Sequence, residues 1–260
     1  MHLLGIAHDR RAQLSGICDT DLSAASELAS LVDSTSLTWG ECLDRSDLVV
    51  IATPPDTHAE LVADALDRGR HVLVETPLTT SAADSAALVE LAGHAADEGI
   101  VAAYGANLRH SPPMLQAADR AVGVGPVEHL GVAVVGPRPS WAGPAVGDPM
   151  VDLGPHVGAR RDAVPRRDAR GAAGAVHRPG RRTDDTRRRD AARLEVRTTG
   201  EHFWVLDLSW GGEPDWSAQL AGERHVVRIE LQPNPSVEVD GLPVAPVDEL
   251  LRTRGSIPVS

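Results

Sequence analysis

Asp47-Leu48-Val49-Val50-Ile51-Ala52-Thr53-Pro54-Pro55 is the stretch whose reading decides the fold. Residues 48–53 form the unbroken apolar run of a parallel strand buried on both faces. Two prolines, which have no N–H for a sheet ladder, then stop it. Downstream, Ala59–Arg68 has apolar residues at 61, 62, 65 and 66 and closes on Gly69, which predicts a helix with a glycine terminator. His71–Val74 reads as the next strand, Ser81–Glu98 as a long helix ended by Gly99, and Ile100–Tyr104 as a further strand. Upstream, Gln13–Cys18 reads as a strand ending on Asp19, followed by a helix over Leu22–Leu31. Strands alternating with helices at this interval predict a parallel, doubly wound sheet over residues 1–122.

Residues 123–260 read differently. Val127–Val135 and Glu201–Trp210 are longer strand candidates, and Val226–Glu230 with Ser236–Val239 reads as a hairpin. The expected fold class is therefore α/β, a Rossmann-type sheet followed by an α+β domain with a mostly antiparallel sheet. Gly123-Val124-Gly125, followed by Pro126, reads as the junction turn.

Between these strands lies an Arg-rich segment, 159–194, with twelve arginines and five aspartates, net +7, while the rest of the chain carries −19. Its arginines follow no helical or strand period, and its few large aliphatic residues cannot bury a core face. It reads either as a basic loop or as GC-rich coding sequence translated out of frame. The overall charge of −12 argues against nucleic-acid or anionic-membrane partners. No run of eighteen apolar residues and no charged segment leading an apolar one is present, so a cytoplasmic location is expected. Cys18 and Cys42 have no His or Cys at metal spacing, so no metal site is expected and both read as buried apolar fillers.

Four local patterns carry the chemistry. Asp19, at a strand end, is placed to accept hydrogen bonds from an adenosine ribose, or is simply a helix N-cap. Thr20 and Asp21 supply no arginine for a 2′-phosphate, so NAD is expected rather than NADP. Thr53-Pro54-Pro55-Asp56-Thr57-His58 follows one strand and Glu75-Thr76-Pro77 the next, at the carboxyl ends where open α/β sheets bind ligands. Asp152 and His156 are four apart, one face of a helical turn, and such a pair can remove a proton from a substrate hydroxyl.

In this order the patterns resemble the Gfo/Idh/MocA family, named for glucose-fructose oxidoreductase and inositol 2-dehydrogenase. The resemblance covers residues 1–158 and resumes less specifically at about 195–245. It implies an NAD(P)-dependent dehydrogenase acting on a sugar-, cyclitol- or polyol-like substrate, assembled as a homodimer or homotetramer through the C-terminal sheet. His156 corresponds to the family's acid/base and Asp152 to a substrate-orienting carboxylate. Asn107-Leu108-Arg109 corresponds to a segment bordering the substrate, and Thr53, Pro54, Pro55, His58, Glu75 and Pro77 join Asp19 on the cofactor side. Thr76 stands where the family has the lysine of Glu-Lys-Pro, and the chain contains no lysine anywhere. No G-x-G-x-x-G precedes Asp19, and His2–Ala7 reads as the tail of the helix that would follow one, so the first strand is expected to be missing. Two other readings stay open: a catalytically impaired relative serving as a binding or regulatory protein, and a nonfunctional fragment.

Overall fold

The computed structural model describes residues 2–137, 173–177, 191–197, 203–211 and 213–245, with backbone only at 173–177 and 196–197. Two compact units divide at Gly105/Ala106.

The first unit contains α1 (His2–His8), α2 (Leu22–Leu31), α3 (Trp39–Arg45), β1 (Leu48–Ile51), α4 (His58–Asp67), β2 (His71–Val74), α5 (Ala82–Asp97) and β3 (Ala102–Tyr104). The three strands form a parallel sheet in the order β1-β2-β3, with Val49 opposite Val72 and Val74 opposite Tyr104. Val49, Ile51, Val72 and Val74 are buried together with Leu43, Val62, Leu66 and Leu88 from the helices. Parallel strands require helical crossovers, and α4 and α5 supply both the connection and the covering apolar face. Each crossover helix ends on a glycine with positive φ, Gly69 at 72° and Gly99 at 80°. Glycine adopts this left-handed conformation without the Cβ clash other residues meet.

Two sequence expectations need correction in this unit, and one helix went unread. Gln13–Cys18 is not a strand; only an isolated parallel bridge, Ile17 to Ser36, forms there. Gly16 brings this backbone hard against Leu37, where a Cβ would lie 2.3 Å from the leucine Cδ1. β1 is buried on one face only: Val49 and Ile51 are enclosed, Val50 is half-buried and Leu48 exposed. The missed helix α3 carries a capping box, in which the Thr38 hydroxyl accepts from the Glu41 N–H while the Glu41 carboxylate accepts from the Thr38 N–H.

Cys42 is buried and Cys18 half-buried, both as free thiols. Burial, reinforced by the neighbouring Cys18 sulfur, pushes the Cys42 thiol up to about 11, and burial also raises Cys18. The thiolate is the reactive form, so both cysteines are expected to resist iodoacetamide at pH 8 in the native chain and to react on unfolding. Mass spectrometry checks this; stoichiometric labelling of the folded chain would contradict it.

The second unit begins with a 3-10 turn at Asn107–His110 and α6 (Pro112–Ala121). Its strands are β4 (Val127–Gly136), β5 (Ala173–His177), β6 (Ala191–Arg197), β7 (Phe203–Trp210), β8 (Asp215–Gly222), β9 (Val226–Gln232), β10 (Ser236–Val239) and β11 (Leu242–Pro243). They form one eight-stranded sheet, β11-β10-β9-β8-β4-β7-β6-β5, antiparallel except for the β4–β7 pair. On one face Val227 and Val237 pack with Ala117 and Val124, and Val134 packs with Leu208.

The Arg-rich segment is therefore not without strand structure, because 173–177 and 191–197 pair with each other in antiparallel register. Residues 191–195 in fact alternate. Ala192 is buried, whereas Arg193 reaches Glu195 at 2.8 Å and Asp207 of β7 at 2.9 Å. The surrounding arginines masked that period of two. Residues 178–190 lie outside the described residues.

Candidate functional site

At the carboxyl ends of β1 and β2 the chain forms two loops. The first, Thr53–Thr57, is closed by its own residues: the Thr57 N–H and hydroxyl both donate to the Pro54 carbonyl, at 3.0 and 2.8 Å. The Thr53 and Thr57 hydroxyls lie 2.7 Å apart. Pro54 and Pro55 fix φ without needing acceptors, so the loop is stiff and has exposed Thr53 and Pro54 at its tip.

The second loop is Glu75-Thr76-Pro77, in which the Thr76–Pro77 peptide is cis. Glu75 Oε2 accepts the Thr76 N–H at 3.1 Å, and Oε1 lies 2.5 Å from Nε2 of His2 on α1. Gly105, just after β3, passes close to this carboxylate, since a Cβ there would meet Glu75 Oε2 at 3.0 Å.

His58, expected on the cofactor side, points inward. Its side chain is fully enclosed at 0% exposure. Nδ1 faces the Pro77 and Leu78 carbonyls at 2.9 and 3.2 Å, and Nε2 faces the Thr53 carbonyl at 2.8 Å. Thr53, His58 and Pro77 are thus brought together, with Glu75 and Thr76 beside them in sequence.

Asp19 stands apart from this cluster and is exposed. The N-cap of α2 is Asp21, whose carboxylate accepts from the Ser23 and Ala24 N–H groups. Asp19 Oδ1 takes the Asp21 N–H at 2.9 Å, and Oδ2 has no hydrogen-bond partner among the described residues. The N-cap alternative therefore belongs to Asp21, and Asp19 keeps an oxygen open to solvent.

Asn107 and Arg109 both lie on the 3-10 turn that opens the second unit and are exposed. Asp152 and His156 lie outside the described residues. Sequence reasoning passed over Tyr104, the last residue of β3. Burial pushes its phenol up to about 12, helped by the nearby Glu75 carboxylate and opposed by a hydrogen bond from the Leu78 backbone. Its place at a strand end, like those of residues 53 and 75, was the available signal.

Open parallel α/β sheets bind their ligands at the carboxyl ends of the strands, which is where the Thr53–Thr57 and Glu75–Pro77 loops lie. Residues 1–102 match the model of the Gfo/Idh/MocA oxidoreductase family, described as an NAD-binding Rossmann fold.

Among curated relatives, the dTDP-3,4-didehydro-2,6-dideoxy-alpha-D-glucose 3-reductase of Saccharopolyspora spinosa is 47% identical over 58 residues, 22% of this chain and 18% of the reductase. The 4-carboxy-2-hydroxymuconate-6-semialdehyde dehydrogenase of Sphingobium is 29% identical over 115 residues. The chain spans about a fifth to a third of the lengths of these two relatives. Among solved structures, GenD2 from gentamicin A biosynthesis, in complex with NAD, is 27% identical with a TM-score of 0.74, covering 88% of this chain and 68% of GenD2. No described helix is long and apolar enough to cross a membrane.

Proposed function

We propose that the chain is an oxidoreductase using NAD rather than NADP, acting in the cytoplasm and moving a hydride to or from a sugar-, cyclitol- or polyol-like substrate. The observation that carries this reading is the exposed Asp19 carboxylate, whose Oδ2 has no hydrogen-bond partner among the described residues while Asp21 caps the helix. A carboxylate accepts from both hydroxyls of an adenosine ribose, and in this fold that is where one is needed. The residues present fit the cofactor's ribose and nicotinamide sides: Asp19 would hold the ribose, and the Thr53–Pro55 and Glu75–Pro77 loops would flank the rest. The family match, and the NAD held by GenD2, support the same choice. The sugar-like substrate is favoured by the reductase relative and by the inositol 2-dehydrogenase of Rhodococcus erythropolis, 35% identical over 83 residues.

Bound NAD would supply or accept the hydride. His156 would take or return the proton of the reacting hydroxyl, Asp152 would orient the substrate, and Asn107 and Arg109 would border it. These four assignments rest on the family resemblance. Thr76 puts a neutral hydroxyl where the family carries a lysine, so a charge that would stabilise the reacting oxygen is missing from that place. A second copy of the chain is the proposed partner, on the sheet face that carries Arg193, Asp207, Glu195 and the stacked pair His129 and Phe203, whose ring centroids are 5.9 Å apart. Opposite charges side by side on one face suit a self-complementary contact.

Thr76→Lys is the informative variant. Positioned charges of this kind are worth roughly 100-fold in rate, so turnover against a panel of nucleotide sugars and cyclitols, followed by NADH absorbance, is expected to rise by that order. Unchanged turnover in a variant that still binds NADH would remove Thr76 from the site.

A further inference from the structure

Beyond the strand ends, the two loops have no ordinary way to hold each other. The last main-chain bond between them is Glu75 N–H to the Ile51 carbonyl at 2.9 Å. Past that point Pro54, Pro55 and Pro77 have no N–H to give. Among the described residues, the His58 ring makes the only hydrogen bonds joining residues 53–57 to 76–78, and it does so through carbonyls. Enclosed carbonyls need donors, and the fully buried ring faces all three carbonyls at hydrogen-bond distance.

We infer that His58 is a positioning residue: its imidazole bridges the Thr53 carbonyl to the Pro77 and Leu78 carbonyls and so sets the spacing of the two loops. This rests on the reading that these loops flank a bound dinucleotide. His58 itself touches no ligand, because its side chain is wholly enclosed. Its effect on the site passes through the loop tips, Thr53 with Pro54 on one side and Thr76 on the other. All three partners are carbonyl oxygens, which only accept, so holding both loops at once takes a ring with hydrogen on both nitrogens, whereas a neutral ring holds only the side that carries its hydrogen.

Three variants separate the halves of the bridge. His58→Phe keeps a ring and removes both nitrogens. His58→Asn returns an amide nitrogen near the Nδ1 position, and His58→Gln returns one near Nε2. Two readouts are taken on the full chain: NADH affinity by fluorescence titration, and amide hydrogen exchange at Thr57 and Thr76, with Val49 and Val72 as strand references. In His58→Phe, exchange at Thr57 and Thr76 is expected to rise about tenfold or more with the strand amides unchanged, and the Kd for NADH to rise about tenfold. His58→Asn and His58→Gln should each restore only part of either quantity. Unchanged loop exchange in His58→Phe, or full restoration of both readouts by one amide variant alone, would overturn the bridge. Should His58→Phe not fold, the two amide variants carry the comparison. Should the natural chain bind no NADH, the functional reading fails while loop exchange still decides the bridge.

Discussion

Asp19→Ala is expected to weaken NADH binding about 10- to 100-fold and to leave the fold intact. Hydrogen bonds to a charged group contribute roughly 1.5–3 kcal/mol each, and about 1.4 kcal/mol is a factor of ten in affinity. Asp19 is exposed, and its one described backbone bond is to the Asp21 N–H at 2.9 Å. Helix α2 keeps its own cap in Asp21, so little structure depends on residue 19. Asp19→Asn keeps the shape and loses the charge, and should fall between alanine and the natural residue. Calorimetric titration of NADH, beside a denaturation curve for each variant, separates lost binding from lost folding. Natural affinity in Asp19→Ala would move the ribose site elsewhere.

Leu43→Ala is expected to cost about 2–5 kcal/mol of stability, the range for emptying a buried leucine site. Leu43 is at 0% exposure and belongs to the cluster that includes Val49, Ile51, Val62 and Leu66. Helix α3 thus contributes to the same core as the first strand and the first crossover helix. Urea unfolding gives the difference directly from the midpoint and slope. A shift below about 1 kcal/mol, within the usual range for surface substitutions and mild core changes, would mean that α3 does not pack as described.

Much of the first unit was legible because its signals are local. The helix over Leu22–Leu31 and the strand over His71–Val74 fall where spacing placed them, and Gly69 and Gly99 end their helices with positive φ. What stayed hidden depends on partners distant in sequence. Gln13–Cys18 has strand composition but only one bridge partner at Ser36, and no single segment announces that. Strand β8 reads Asp-Trp-Ser-Ala-Gln-Leu-Ala-Gly, whose small and polar residues look like a loop until β4 and β9 pair with it on both sides. In β6 the alternation of Ala192 and Leu194 with Arg193 and Glu195 was concealed by the arginines around it.

The candidate site was legible to the same depth. Strand-end position follows from local pattern, which is why Thr53-Pro54-Pro55 and Glu75-Thr76-Pro77 could be marked from the chain alone. Side-chain direction does not follow from it. That His58 turns inward to the Thr53 and Pro77 carbonyls depends on two loops meeting across nineteen residues of sequence. The same limit applies to Asp19, whose open oxygen became distinguishable from a helix cap only when Asp21 was seen to hold the Ser23 and Ala24 N–H groups.

The most direct test is calorimetric titration of NADH into the folded natural chain, with NADPH as the comparison. One saturable site with preference for NADH is the predicted result. A cooperatively folded chain that takes up neither dinucleotide would contradict the assignment of these strand ends as a cofactor site.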